Sequence, residues 1–296
     1  MKSLKLITTS VLISATLFSC QKDDIETEQN SNQSEIITVS NNNVPEDVAT
    51  KLRKLNFNPD FVTRKEITVS NGKVIKGWLA DDIFISDKQI SLLDETNNTE
   101  RAYIRNTRVD PSIGVRRNGQ RIIRVRIDNG SDSATGETNP ILPNHRRALR
   151  AAVGALNNLN LNLRWEILGD NSTIFDVETS ISIGNGPIDG FAGSMFNGNP
   201  GGFISASAPN NRQLRGVLIH EIMHSIGFRH SDFRTRNSCQ NVNPRQVFDE
   251  GSDDANFVSG TVRDDNFMNS IMTACFIGNT SLSREDVNAL RSIYRR

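Results

Sequence analysis

Apolar positions follow two regimes along this chain. Val48, Leu52 and Leu55 recur at helical spacing behind Pro45 and Glu46, which predicts a short helix opened by a proline. Residues 61–69 and 73–79 then read as extended, and Asn71-Gly72 between them is a strong hairpin signal. From residue 121 a longer series begins. Residues 121–128 read as a strand. Asn144 can cap a helix running to about Asn158 with Leu149, Val153 and Leu156 on one face. Residues 163–168 and 174–183 predict two further strands, and Phe203, Ile204, Ser205 and Ala206 a short fourth one after Gly201-Gly202. A helix follows from about Arg212, its apolar face carried by residues 214–219. A last helix carries Val287, Leu290, Ile293 and Tyr294 at helical spacing, with Ser283 as N-cap and Asp286 in the first turn. The mixture predicts an α+β protein: a small α+β unit over residues 46–98 that could be a prodomain or a fixed accessory domain, a connector over 99–118, and a larger domain over 119–296.

The first residues read as a targeting segment. Met1-Lys2-Ser3-Leu4-Lys5 is a basic start, and residues 6–18 are an apolar run too short for a typical membrane span. Residues 1–19 are therefore expected to be a signal peptide. The stretch Leu17-Phe18-Ser19-Cys20 resembles a bacterial lipobox, with Phe18 bulkier than usual, and Gln21-Lys22-Asp23-Asp24 resembles the surface-export signal of Bacteroidetes lipoproteins. Cys20 is then the lipidated first residue, residues 20–45 are a polar tether, and the protein sits on the outer membrane, exposed at the cell surface, or is released after processing. The competing reading is an ordinary secretory signal with a coincidental cysteine. Arg101, Arg105, Arg108, Arg116 and Arg117 make the connector basic, either as a solvated linker or as a processing site.

Composition narrows the classes. With 34 basic and 34 acidic residues the formal charge is zero, so no global field points to nucleic acid. A hydrophobic content of 36% suffices for a globular core, and a monomer is expected.

The densest chemistry lies in residues 220–230, which hold three of the four histidines in the pattern H-E-x-x-H-x-x-G-x-x-H. Residues i and i+4 of a helix share a face, so His220 and His224 can address one ion. Gly227 can take the left-handed conformation that ends the helix, and the chain then returns His230 as a third ligand. Three neutral nitrogens with one open position suit catalytic Zn2+ rather than a closed structural site. Glu221, beside the first ligand, is placed to take a proton from the activated water.

This pattern resembles that of the metzincin clan of zinc endopeptidases, and the wording around it is closest to the bacterial "HEIGH" metallopeptidases. The resemblance covers about residues 119–296 and implies a metzincin-like zincin: a twisted mixed sheet, a long active-site helix and a C-terminal helix, preceded here by the small N-terminal domain. It implies a polypeptide substrate, pairing antiparallel with an edge strand expected at Phe203, Ile204, Ser205 and Ala206. It also implies a Met-turn beneath the metal, placed at Met272 in Ser270-Ile271-Met272-Thr273, with Met268 as the competitor. Met223 stands where the nickname of these enzymes has glycine. Astacin-like members carry a tyrosine two residues after that methionine; here the position is Ala274, and neither Tyr103 nor Tyr294 is placed by sequence to replace it.

Several residues keep more than one reading. Cys239 and Cys275 could form a disulfide in an oxidising compartment, or stay two buried thiols. Asp249, Glu250, Asp253 and Asp254 could bind Ca2+ or form a solvated loop. His145 reads as a surface or capping residue. Asp232 could orient a ligand histidine or tie down the subdomain through a buried salt bridge. Asp81 or Asp82 could supply a blocking carboxylate, though acidic loop residues are common. Two other function classes stay open: a surface binding module that kept zinc and lost catalysis, and a zinc enzyme acting on a non-peptide bond.

Overall fold

The computed structural model describes residues 44–55, 57–68, 73–95, 108–128, 141–169, 177–185, 187–233, 235–239, 258, 261 and 269–296. The signal segment with Cys20, the tether up to residue 43, Asn71-Gly72, Arg101, Tyr103, Arg105, the acidic loop at 249–254 and Met268 lie outside them. Among the described residues no helix is long and apolar enough to cross a membrane.

Helix α1 spans Glu46–Lys54, with Glu46 and Asp47 in its first turn and Lys51, Arg53 and Lys54 in its last, the arrangement that a helix dipole favours. Strands β1 (Val62–Thr68) and β2 (Val74–Ala80) pair antiparallel, Thr68 facing Val74, so the predicted hairpin forms around its undescribed turn. Two elements here went unread in the sequence. Strand β3 (Ile83–Ser86) pairs antiparallel with β2, with Ala80 opposite Ile83, and helix α2 (Asp87–Glu95) follows at once. Asp81 and Asp82 are thus the two residues of a tight hairpin loop. Asp81 has φ 56°, in the left-handed region that Asp tolerates better than most residues. Leu52, Phe57, Val62, Ala80, Ile83, Ile85 and Ile90 form the core of this part.

The larger part begins with the two-residue strand β4 (Arg116–Arg117), which pairs antiparallel with β5 (Gln120–Ile127). Helix α3 (Pro143–Asn157) and strands β6 (Leu163–Ile167), β7 (Thr179–Gly184), β8 (Asp189–Gly193) and β9 (Phe203–Ser207) follow. Then come the long helix α4 (Asn211–Ser225) and the last helix α5 (Arg284–Tyr294). The strands join one nine-stranded sheet in the order β1-β2-β3-β8-β9-β7-β5-β4, with β6 on β5. Pairings β5–β6, β5–β7 and β7–β9 are parallel, while β8 runs antiparallel to β9. The N-terminal hairpin therefore continues the sheet of the larger part through β3, which lies parallel to β8.

This order corrects the edge-strand expectation. Residues 203–206 belong to β9, bonded to β7 on one side and β8 on the other, so no free edge is left for a peptide. In the larger part the outer position belongs to β8.

Helices α3 and α4 pack on the sheet, and Leu149, Leu156, Leu163, Ile181, Leu218, Ile219 and Ile222 belong to one buried core with Met272 and Tyr294. The Tyr294 hydroxyl donates to the Ile226 carbonyl at 2.7 Å and accepts from the Val109 amide at 3.0 Å. It thereby holds α5 against the end of α4. Burial, first of all, pushes its phenol far above the ordinary value. Tyr294→Phe is expected to cost about 1–3 kcal/mol, because a buried amide and carbonyl lose their partner; urea unfolding of the full chain measures it.

Candidate metal centre

The site is assembled by α4 and the loops beyond it. Asn210 caps α4, its side chain accepting from the Gln213 amide at 3.0 Å. His220 and His224 then fall one turn apart on the same face. Gly227 has φ 108°, a conformation that a side chain would strain, and the reversal there returns His230 to the same point. The Nε2 atoms of His220 and His224 lie 2.9 Å apart, and each is 3.2 Å from Nε2 of His230.

The opposite ring nitrogens fix the tautomers. His220 Nδ1 lies 2.7 Å from the Ile271 carbonyl and His224 Nδ1 2.7 Å from the Phe228 carbonyl. A carbonyl can only accept, so these Nδ1 atoms carry the protons and the Nε2 atoms turn lone pairs towards one another. Lone pairs converging at such distances repel unless a cation lies between them. The triangle matches the size set by metal–nitrogen bonds of about 2.0–2.1 Å in a tetrahedral site. Burial, the largest influence, also pulls His224 below its ordinary value, which favours the neutral form a metal needs. The donor set therefore fits zinc.

A fourth donor completes it. Asp82 Oδ2 lies 2.9 Å from His230 Nε2 and 3.1 Å from His220 Nε2, and Oδ1 lies 3.3 Å from His224 Nε2. Asp82, His220, His224 and His230 form one potential ligand group. Asp81 works one layer out. Its Oδ2 takes a 2.6 Å bond from Arg236 and faces His230 Nδ1 at 3.4 Å.

Glu221 is buried beside the ligands, and its Oε2 has no protein hydrogen-bond partner. Burial first, then the neighbouring Asp82 charge, pushes its carboxyl well above the ordinary value. Gly190 on β8 makes the room: a Cβ there would meet the Glu221 carboxyl carbon and Val217 Cγ1, each at 2.9 Å. The sequence gives no hint that this glycine matters, since its partner is 31 residues away in numbering and comes near only through the sheet.

The floor of the site is a turn at residues 270–274. Met272 is buried, and its carbonyl accepts from the Ser231 amide at 2.6 Å. Asp286 of α5 holds the turn, accepting from Ser270 Oγ at 2.5 Å and the Ile271 amide at 2.9 Å, and also from the Ser283 amide at 2.8 Å. Asp232 is fully buried and accepts from the Ala274 amide, the Ser238 amide and Ser238 Oγ at 2.9, 2.9 and 2.7 Å. Of its two sequence readings, tying down the chain beneath the site is the one these bonds describe, through two backbone amides and a serine hydroxyl. Cys239 and Cys275 are joined in a disulfide. His145 is buried, not exposed; its Nε2 lies 3.0 Å from Asn185 Oδ1 and its Nδ1 near the Leu142 amide, away from the metal centre.

Comparison with known proteins agrees with this chemistry. The model of the dual-action HEIGH metallopeptidase family matches residues 81–294, so the match starts at the Asp81-Asp82 turn rather than near residue 119. No curated protein matches the chain. Among solved structures, high choriolytic enzyme 1, a hatching-enzyme zinc protease from the medaka fish Oryzias latipes, is 18% identical; the alignment covers 61% of this chain and 92% of that one, with TM-score 0.39. Two structures of myroilysin are 12% and 10% identical, over 59% and 65% of this chain and 80% and 96% of theirs, with TM-scores 0.35 and 0.34. With a family model spanning most of its length and a zinc-type donor set built from that same stretch, the chain belongs to the HEIGH metallopeptidase family and is a zinc metallopeptidase.

Proposed function

We propose that this protein is a surface-anchored or secreted zinc endopeptidase, with His220, His224 and His230 as metal ligands, Glu221 as general base and Met272 as the methionine of the Met-turn. The observation that carries the reading is the convergence of three Nε2 atoms beside a buried carboxylate that has no protein hydrogen-bond partner at Oε2. Zinc held by these three histidines would supply Lewis acidity to the scissile carbonyl and would lower the pKa of water at the site towards neutral pH. Glu221 takes the proton of the attacking water and returns it to the leaving amine. Its raised affinity for a proton, a consequence of burial, suits that relay. His220 and His224 keep their tautomers through the Ile271 and Phe228 carbonyls.

The substrate chain is assigned to the outer side of β8, where backbone N–H and C=O groups can add an extended peptide as a strand. Ala274 leaves no tyrosine on the turn to assist. A binding module without catalysis has no use for a carboxylate buried at the cost Glu221 bears, which favours an enzyme over that alternative.

Residues 1–20 support a location outside the cytoplasm, by lipid attachment at Cys20. Mass spectrometry of the mature N-terminus tests this; a species beginning beyond residue 20 without lipid would replace the anchor by secretion.

Zinc content measured together with cleavage of a denatured protein tests the function. One zinc per chain and cleavage abolished by a chelator are expected. Absence of zinc refutes the reading, and zinc without peptide cleavage under any activating condition leaves the binding module.

A further inference from the structure

We infer that the N-terminal part, residues 44–95, keeps this enzyme latent by a double block: Asp82 occupies the fourth metal position, and β3 occupies the peptide-binding side of β8. This rests on the zinc-peptidase reading above. The first block is the carboxylate. A catalytic zinc needs one position for water and substrate, and Asp82 fills it, with Oδ2 within 3.1 Å of two ligand nitrogens and Oδ1 turned towards the third. A hairpin loop accounts for Asp81 and its left-handed backbone, but not for Asp82: Oδ1 is buried with no protein hydrogen-bond partner, which is costly unless a cation lies against it.

The second block is the strand. The Ala192 amide donates to the Asp82 carbonyl at 2.9 Å and the Ser194 amide to the Phe84 carbonyl at 2.8 Å. These amides, on β8 and just past its end, are the groups to which a bound peptide would be added. Strand β3 runs parallel to β8, opposite to the antiparallel pairing that the resemblance implies for a substrate on the edge strand. The reversed backbone offers the metal a side-chain carboxylate where a substrate would offer a scissile carbonyl, so the segment covers the cleft without being positioned for cleavage.

Contacts from both sides of the centre hold the block in place. Arg236 pairs with Asp81 at 2.6 Å. Arg229, next to the third ligand, stacks on the Phe57 ring at 3.7 Å and donates to the Leu55 carbonyl at 3.0 Å. Phe84 of β3 packs edge-on against Phe203, which does the same with Phe191. These side chains bury an apolar seam that would be exposed if the segment left, so the latent form is stable until the segment is displaced or cut.

The test uses the full chain loaded with Co2+, in the wild type and in Asp82→Ala, and follows the visible spectrum while acetohydroxamate is titrated. Asp82→Ala should change the starting spectrum and bind hydroxamate at least about tenfold more tightly. Cleavage of a denatured protein should rise in the same variant, by less, because β3 still covers β8. If Asp82→Ala fails to fold, Asp82→Asn keeps the shape and should shift both readouts in the same direction. Equal spectra and equal hydroxamate affinity in wild type and variant overturn the inference, whether or not the chain cleaves peptides. A gain in hydroxamate affinity with no cleavage by any variant upholds the block and sinks the endopeptidase reading instead.

Discussion

Glu221→Gln is expected to lower kcat by about 10²–10⁴-fold, the usual contribution of a positioned general acid–base group, while zinc stoichiometry stays at one per chain. Gln matches the volume of Glu, so the pocket that Gly190 leaves between β8 and α4 stays filled and the fold is kept. The amide cannot accept and return a proton. Neither Glu221 oxygen is a member of the ligand group, so metal affinity should change little. The loss should appear in kcat rather than KM, because the carboxylate acts on the transition state more than on peptide binding. Wild-type and Asp82→Ala chains serve as backgrounds, the more active giving the wider range. Turnover within about threefold of the parent would move the base elsewhere; loss of zinc would make Glu221 a structural residue.

The second large effect is on stability. Asp232→Ala is expected to cost about 3–5 kcal/mol, since buried donors that lose their acceptor cost about 1–3 kcal/mol each. The Ala274 amide, the Ser238 amide and Ser238 Oγ all turn towards this carboxylate, and the two Ser238 donors are buried away from water. Ser238 Oγ also accepts from the Cys275 amide at 2.9 Å, so the loss spreads to the disulfide-linked segment. Urea unfolding should show a lower midpoint with an unchanged m-value, together with weaker zinc retention, because the chain carrying His230 leads directly into Asp232. A change below about 1 kcal/mol would show that the disulfide alone holds this region.

The candidate zinc ligands and most helices were legible in the sequence because they depend on short-range rules. His220 and His224 share a face by helical periodicity alone, and Gly227 ends the helix because it can adopt φ 108°. The N-cap of α5 was also readable, Ser283 accepting from the Asp286 amide at 3.1 Å. Strand β8 was not. Asp189-Gly190-Phe191-Ala192-Gly193 has poor intrinsic strand preference, and it is extended because β9 and β3 hydrogen-bond it on both sides. Phe203, Ile204, Ser205 and Ala206, with their stronger strand pattern, drew the edge position in its place. The same preference that made them readable suits a strand buried between two others.

What the sequence determined by itself, then, is a zinc-type candidate set of three histidines and the adjacent carboxylate, all placed within one helix and the turn that ends it. Tertiary structure alone decided how Asp82 meets His220, His224 and His230 across more than a hundred residues, which strand lies at the edge, and why Gly190 carries no side chain. An aspartate in a hairpin loop looks like any turn residue until the sheet closes. Its meaning comes from the β3–β8 pairing, and such long-range pairing leaves no local period for the sequence to display.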